Sequence, residues 1–362
     1  MNKNEIAILG CGKCGSSLLD SLLDIDSAFN YSFMNTNMFE LENLNHFSSN
    51  STLHINTVGG LDSNRKKGKT VIKEFVPKIA NFIDLKFPVS SGINIFYILC
   101  SSSGGTGSSL ATILPKIIKM VNEDSIINII STIPQLDEGE VSINNTIDFW
   151  NDFIDLFDKG YVNNIQFIDN SKMKNEYEFN NNVMKEFYNS ISSSGIVDTE
   201  DVKGVNICRG YRVTLQLNSR YRNIRESVDM AIKNSNFILP SEFECERAIG
   251  LFDENNYKLN EVQSIFSPYQ KAKYDYNYDN INMFTLGGCN FPKEIIEELK
   301  LVLEDYSESR IKRNDRFKNL KIETDNNVEN KKTKQTTTVN ISGNKRRRKI
   351  TSKDINDLYD SL

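Results

Sequence analysis

Cys100-Ser101-Ser102-Ser103-Gly104-Gly105-Thr106-Gly107-Ser108-Ser109 is the stretch that decides the reading of this chain. Residues 93–99 before it form an apolar, β-branched run that predicts a buried strand, and Leu110-Ala111-Thr112-Ile113-Leu114 continues after it with helical character. A strand that empties into glycines and hydroxyls before a helix presents unpaired N–H groups at the positive end of the helix dipole. Glycine also lets anionic oxygens approach the backbone. An isolated Ser/Gly run would suit a flexible connector better, but the flanking strand and helix reverse that preference in favour of a phosphate cradle.

The same pattern recurs upstream. Glu5-Ile6-Ala7-Ile8-Leu9 predicts a strand, Gly10-Cys11-Gly12-Lys13-Cys14-Gly15 follows at once, and Leu18, Leu19, Leu22 and Leu23 recur at helical spacing. This matches the G-x-G-x-x-G of dinucleotide-binding folds, which also want an acid at the end of the second strand to hold a ribose. Here the second strand, Tyr31-Ser32-Phe33-Met34, ends in Asn35-Thr36-Asn37. Gly68-Lys69-Thr70 imitates the end of a P-loop, but Ser63 stands where that motif needs its first glycine. Residues 59–67 therefore read as a basic loop entering a helix expected over 69–82. Its cations are read equally as phosphate-facing or as a solvated face.

Further strands are predicted over 125–131 and 164–168, separated by the acidic loop 134–140 and a helix whose Ile147, Trp150, Phe153, Ile154 and Phe157 face a core. Alternating strands and helices to residue 168 predict a largely parallel sheet, with ligands at the carboxyl ends of its strands. A helix follows over about 181–191, and Ser192-Ser193-Ser194-Gly195 breaks it. Separated strands are expected over 213–217, 248–252 and 283–286, then a long helix over 294–316 after Pro292. Residues 324–344 are polar and structureless by composition. The basic cluster Lys345-Arg346-Arg347-Arg348-Lys349 precedes Ile355, Leu358, Tyr359 and Leu362, which suits a short partner-binding element. The expected α/β architecture is a parallel-sheet domain over 1–180, a central helix and loop over 181–202, and a smaller mixed α/β domain over 203–290. A long helix over 291–320 and a flexible basic tail over 321–362 complete it.

Composition narrows the class. A formal net charge of -5 argues against bulk nucleic-acid affinity, so any such contact would be local or delivered by a partner. No apolar run approaches a membrane span and the first residues lack a signal-peptide core, so a cytosolic protein without membrane contact is expected. Six cysteines are scattered, only Cys11 and Cys14 are close, and two histidines are too few for common metal clusters. Reduced structural thiols are the expectation.

Taken in order, these motifs resemble the tubulin/FtsZ superfamily of GTPases, which bind GTP on a chain of loops and polymerise head to tail. Ser103-Gly104-Gly105-Thr106-Gly107-Ser108-Ser109 resembles the family's G-G-G-T-G-[ST]-G signature, with serine for glycine at 103 and 109. Gly12, Lys13, Cys14, Gly15 and Ser16 resemble the family's opening glycine-rich loop, and Asn35-Thr36 resembles its N-T motif. The resemblance implies that Glu138 contacts the ribose, that Asn170 and Asn181 contact guanine, and that Tyr177 or Phe179 stacks on the base. Val197-Asp198-Thr199-Glu200-Asp201-Val202 resembles the catalytic loop, implying that Asp198 and Asp201 act on the neighbouring subunit's GTP. Asp198 or Thr199 reads equally as a helix cap. GTP or GDP with Mg²⁺ on the phosphates is implied, with no direct side-chain ligand to the metal.

Within the superfamily the sequence is similar to the TubZ branch, through Arg65-Lys66-Lys67-Gly68, Phe149-Trp150-Asn151-Asp152 and the long final helix with its basic tail. That branch implies filaments that segregate plasmid or phage DNA, with the 345–349 tail on a DNA-binding adaptor seated on centromere-like repeats. A cell-division or phage-organising cytoskeletal GTPase, a non-hydrolysing homologue and an NAD-linked oxidoreductase are the alternatives.

Overall fold

A computed structural model describes residues 1–55, 61, 63–192, 198–221, 223–242, 244–266, 272–276 and 280–318. Its strands are β1 (Ile6–Cys11), β2 (Asn30–Asn35), β3 (Thr52–His54), β4 (Ile95–Ser101), β5 (Ile126–Ile133), β6 (Asn164–Asp169), β7 (Gly210–Gln216), β8 (Arg247–Phe252), β9 (Ala272–Tyr276) and β10 (Met283–Cys289). They form one ten-stranded sheet in the order β3-β2-β1-β4-β5-β6-β7-β10-β8-β9. From β3 to β7 every pairing is parallel, β10 runs antiparallel to β7 and β8, and β9 is parallel to β8.

The helices are α1 (Gly12–Ile25), α2 (Met38–Glu42), α3 (Arg65–Glu74), α4 (Val76–Lys86), α5 (Thr106–Val121), α6 (Glu140–Asp158), α7 (Glu176–Ile191), α8 (Thr199–Asn206), α9 (Ile224–Lys233), α10 (Leu259–Phe266) and α11 (Lys293–Lys318). Side chains alternate across each strand, so one strand feeds two cores. Ala7, Leu9 and Cys11 of β1 join Ile72, Ile79, Leu110, Leu114 and Phe153 from α3, α4, α5 and α6. Ile6 and Ile8 join Leu18, Leu22, Val183, Phe187 and Val202 from α1, α7 and α8. Burial on both faces is why these strands read as continuous apolar runs in the sequence. The expected core stripe of α6 is present, with Trp150 and Phe153 buried and Ile147, Ile154 and Phe157 packed against them.

The chain leaves β1 for β2 on one side and returns to β4 on the other. The carboxyl ends of β1 and β4 are therefore a topological switch point, where α/β sheets hold ligands.

Several expectations are corrected. The helix expected over 69–82 is two: α3 starts at Arg65, capped by the Asn64 side chain accepting from Lys67 N–H, and ends at Phe75. Pro77 then opens α4, since a proline lacks the N–H that a continuous helix would use there. Gly68-Lys69-Thr70 thus lies inside a helix, and Gly68 is where α3 packs against the Gly105 carbonyl and Ser109. The central helix begins at Glu176, not 181, on a cap from Asn175. Strands after residue 203 continue the first sheet through the β6–β7 pairing, and β9 was not anticipated. The chain from Met1 to Arg313 is one compact unit, so the boundaries expected near 180, 203 and 291 fall inside it. Of the second unit, 314–362, only helical backbone to Lys318 is described. The basic cluster 345–349 and the apolar residues after it lie outside the described residues, as do 56–60 and 193–197. Among the described residues no helix is long and apolar enough to cross a membrane.

Candidate functional site

A cavity of about 490 Å³ opens at the switch point. Its lining comes from the residues after each parallel strand: Cys11 to Cys14 after β1, Asn35 to Asn37 after β2, Ser101 and Gly104 to Gly107 after β4, Thr132 from β5 and Asn170 after β6. Met173, Glu176 and Asn180 close it toward α7, while Leu61 and Ser63 close it toward α3.

The two glycine turns interlock. Gly12 has φ +68, and a Cβ there would stand 2.8 Å from Gly107 N. A Cβ on Gly107 would in turn stand 2.5 Å from the Cys11 carbonyl oxygen. Backbone meets backbone with no side chain between, which leaves the main chain of both turns open to the cavity they line.

Asn or Asp side chains cap α2, α3, α7, α8 and α9. Helices α1 and α5, like α4, have no side-chain cap and no acid in the first turn, and α1 and α5 both begin at the cavity wall. Their first N–H groups lack intrahelical partners, and their dipoles add at one place. Lys13 is the only basic residue among the described lining residues. Burial pushes the Cys14 thiol up to about 11 and that of Cys100, beneath it, up to about 12, so neither is a thiolate at neutral pH. A phosphate chain fits these features: two uncapped helix starts, a glycine cradle and one lysine.

Around the cradle the polar groups hold one another. Thr36 and Thr106 share a hydroxyl hydrogen bond of 2.8 Å, tying the second-strand loop to α5. Asn35 Nδ2 donates to Glu40 Oε2 at 2.7 Å, so a carboxylate does stand beside the end of β2, contributed by α2. Ser103 takes no left-handed conformation, because the described residues with positive φ other than glycine are Ser63 and Asn280. Its N–H donates to Ser101 Oγ, and the two hydroxyls lie 3.0 Å apart. Ser109 is fully buried, its hydroxyl 2.7 Å from the Gly105 carbonyl and 3.0 Å from that of Arg65. Serine is accommodated at both signature positions without backbone strain.

Of the sequence-based candidates, Gly12, Lys13, Cys14, Asn35, Thr36, Gly104, Gly105, Thr106, Gly107 and Asn170 line the cavity. Gly15 and Ser16 lie behind it, Gly15 against the Leu99 carbonyl and Ser16 with its hydroxyl 3.4 Å from the Gly10 carbonyl. Ser108 is buried, donating to the Gly104 carbonyl, and Ser103 sits just outside the lining. Glu138 is exposed in the loop after β5, accepting from Gln135 N–H at 2.9 Å. Asn180, not Asn181, reaches the cavity, since the earlier start of α7 fixes which asparagine faces inward. Phe179 is packed in the core and Tyr177 is 63% exposed. Glu40, Glu176, Met173 and Thr132 were missed; each comes from an element whose facing depends on the folded register.

The basic loop divides: Lys66 and Lys67 face solvent, as one reading expected, while Arg65 and Lys69 are paired. Arg65 is buried at 2% exposure, paired with Asp152 of α6, with its guanidinium 5.9 Å from the Phe149 ring centroid. Lys69 shares the same carboxylate. Burial alone would push the Asp152 carboxyl up, but the hydrogen bonds from Lys69 and Arg65 outweigh it and hold it below the usual range.

Asp198 and Asp201 are remote from the cavity. Asp198 is exposed and caps α8 by accepting from Glu200 N–H at 3.0 Å, and Asp201 N–H bonds the Asp198 carbonyl. Lys203 of α8 pairs with Glu5 at 2.7 Å, immediately before β1. The Met1 amino group donates to the Ile191 carbonyl at the end of α7. Thus α8 sits at the amino edge of the sheet and the cavity at its carboxyl edge. The six residues of β1 alone separate the two edges by ~20 Å.

Residues 5–178 match the GTPase domain of the tubulin/FtsZ family. A tubulin-like protein TubZ of Clostridium botulinum C phage is 24% identical over 326 residues, spanning 89% of each chain. The crystal structure of Clostridium botulinum phage c-st TubZ superposes with a TM-score of 0.75 at 22% identity, covering 85% of this chain and 100% of that one. A GTPyS-form protofilament of Bacillus thuringiensis serovar israelensis TubZ gives a TM-score of 0.72 at 15% identity, over 88% and 94%. The glycine turns, the uncapped helix starts and these likenesses agree: residues 5–178 form a GTPase domain of the tubulin/FtsZ family.

Proposed function

We propose that this chain is a GTP-dependent filament protein whose hydrolytic site is shared between successive subunits. The observation that carries this reading is the separation of the cavity from Asp198 and Asp201, at opposite edges of one sheet. Neither acid reaches its own subunit's cavity, while head-to-tail stacking sets the amino edge of one copy on the carboxyl edge of the next. Asp198 and Asp201 then hold and polarise the water that attacks the neighbour's terminal phosphate, with positioning as the main task of the protein in phosphoryl transfer.

In this reading the α1 and α5 starts, Gly12, Lys13, Thr36 and Gly104 to Gly107 hold the phosphates. Asn170, Glu176 and Asn180 stand where base and ribose lie, with Asn180 taking the part first assigned to Asn181. Mg²⁺ neutralises charge on the phosphates it accompanies. Among the described residues no group of three His, Cys, Asp or Glu side chains makes a metal site of its own. The filament would segregate plasmid or phage DNA in the cytosol, the 345–349 cluster engaging a DNA-binding adaptor; the TubZ likenesses support this over a cell-division role.

Sedimentation and light scattering of the full-length protein test the proposal. GTP with Mg²⁺ should give polymer that disassembles as GTP is consumed, and absence of polymer across a broad protein and Mg²⁺ range contradicts it. Deleting 345–362 should abolish binding to an adaptor–DNA complex and leave polymerisation intact; unchanged binding removes the tail from this role.

A further inference from the structure

Asn145 lies near the start of α6 and does not line the cavity, yet it holds both sides of the cavity's α3-ward end. Its Nδ2 donates to the Ser63 carbonyl at 2.6 Å and to the Ser103 carbonyl at 2.7 Å. These carbonyls belong to the loop before α3 and to the signature loop, 82 and 42 residues away in the chain. Asn145 is itself 8% exposed, so water does not compete for these bonds.

Ser63 has φ 55, a left-handed conformation that persists in a serine only where its surroundings fix it. Ser63 and Leu61 line the cavity. The loop they belong to presses on the signature so closely that a Cβ on Gly105 would stand 3.1 Å from Asn64 N and 3.2 Å from Ser63 C. Behind the loop, α3 is bolted to the same helix that carries Asn145, through Arg65, Lys69 and Asp152.

The cavity runs across the sheet edge from Asn170, Glu176 and Asn180, beside α7, to Leu61 and Ser63, beside α3. A nucleoside triphosphate whose base lies at the α7 end puts its terminal phosphate at the Ser63 end. We infer that Asn145 is a positioning residue, a latch that fixes Ser63 and the signature loop at one spacing and so presets the part of the cavity that receives the terminal phosphate. The inference rests on the GTP reading of the cavity. One amide suits the task because its two N–H groups diverge toward two acceptors; alanine supplies neither, and aspartate would face both carbonyls with acceptors.

The test compares full-length parent and Asn145→Ala in competition binding with GDP and with a non-hydrolysable GTP analogue. Loss of the two bonds should weaken the GTP analogue about tenfold or more and GDP less than about threefold. Ser63→Gly, which removes the steric objection to the left-handed conformation, should recover part of that loss in the Asn145→Ala background. Equal weakening of both nucleotides, or no weakening of either, overturns the latch. Asn145→Gln keeps the amide but moves it by one methylene; if Asn145→Ala does not fold, this variant decides by the same two criteria. A parent protein that binds neither nucleotide overturns the GTP reading and the latch together. A parent that binds both, beside variants that match it, overturns the latch alone.

Discussion

The two edges of the sheet are finished in opposite ways. At the carboxyl edge α1 and α5 start without caps, glycine backbones touch, and the main chain is left open to a cavity. At the amino edge α8 starts on the Asp198 cap, Lys203 is paired with Glu5, and the end of α7 is bonded to the Met1 amino group. One edge holds spare hydrogen-bond donors and the other presents carboxylates on a closed, satisfied surface. Spare donors suit an anion, and exposed acids suit a water; each edge supplies what the other lacks.

The largest expected effect comes from damage to the donor edge. Gly107→Ala forces a Cβ to within 2.5 Å of the Cys11 carbonyl oxygen, where both partners are backbone. Nucleotide affinity should fall about 100-fold or more, with about 2–4 kcal/mol lost from thermal stability. Normal binding in that variant would break the cradle.

Damage to the acid edge should look different. Asp201→Ala should bind nucleotide and polymerise as the parent does, yet hydrolyse about 100-fold more slowly and leave long-lived filaments. Full turnover would remove Asp201 from the reaction.

Two substitutions between the edges should act chiefly on stability. Asp152→Ala leaves Arg65 buried without its carboxylate, and about 2 kcal/mol of stability should go, the pair being partly open to solvent at Asp152. The Asp152 carboxyl is held below its ordinary value in the fold. Its contribution is therefore complete above the ordinary carboxylate range and is lost as pH falls through the lowered value. Thermal unfolding at pH 7 and pH 3 should show a parent–variant gap at the first that is smaller at the second.

Glu186 behaves in the reverse sense. Burial pushes its carboxyl up to about 7, against the hydrogen bond that Asn236 donates at 2.6 Å. The fold thus prefers the protonated form, and stability is lost as pH rises from the ordinary value toward 7. Glu186→Gln should raise stability at pH 8 by about 1–3 kcal/mol and change little at pH 4. A gain of the same size at both pH values would contradict the burial argument.

The smallest effect is expected at the signature's first serine. Ser103 has no positive φ, so Ser103→Gly relieves nothing and should shift stability by less than about 0.5 kcal/mol.

How much of this was legible in the sequence follows from the physics of each part. The parallel strands and both glycine turns were readable because strands buried on both faces are apolar throughout, and because glycines cluster where each strand passes into its helix. Asn180 was also within reach: Asn175 followed by Glu178 has the spacing of a helix start, and that start sets the phase of α7. Pro77 likewise marked the break between α3 and α4. The buried state of Arg65 was not readable, since its partner Asp152 is 87 residues away and only folding brings them together. Asn145 was hidden for the same reason, as an unremarkable polar residue on a helix whose two acceptors are distant in the chain. Among the described residues strand β9 pairs only with β8, and nothing local in Ala272–Tyr276 announces an edge strand.

In the proposed filament the two edges form one hydrolytic site only when copies stack. GTPase rate measured against protein concentration tests this most directly. A shared site requires a rate per subunit that is near zero at high dilution and rises steeply above a threshold, coincident with the appearance of polymer by light scattering. A rate per subunit that stays constant through that threshold would place the whole site within one chain and contradict the claim.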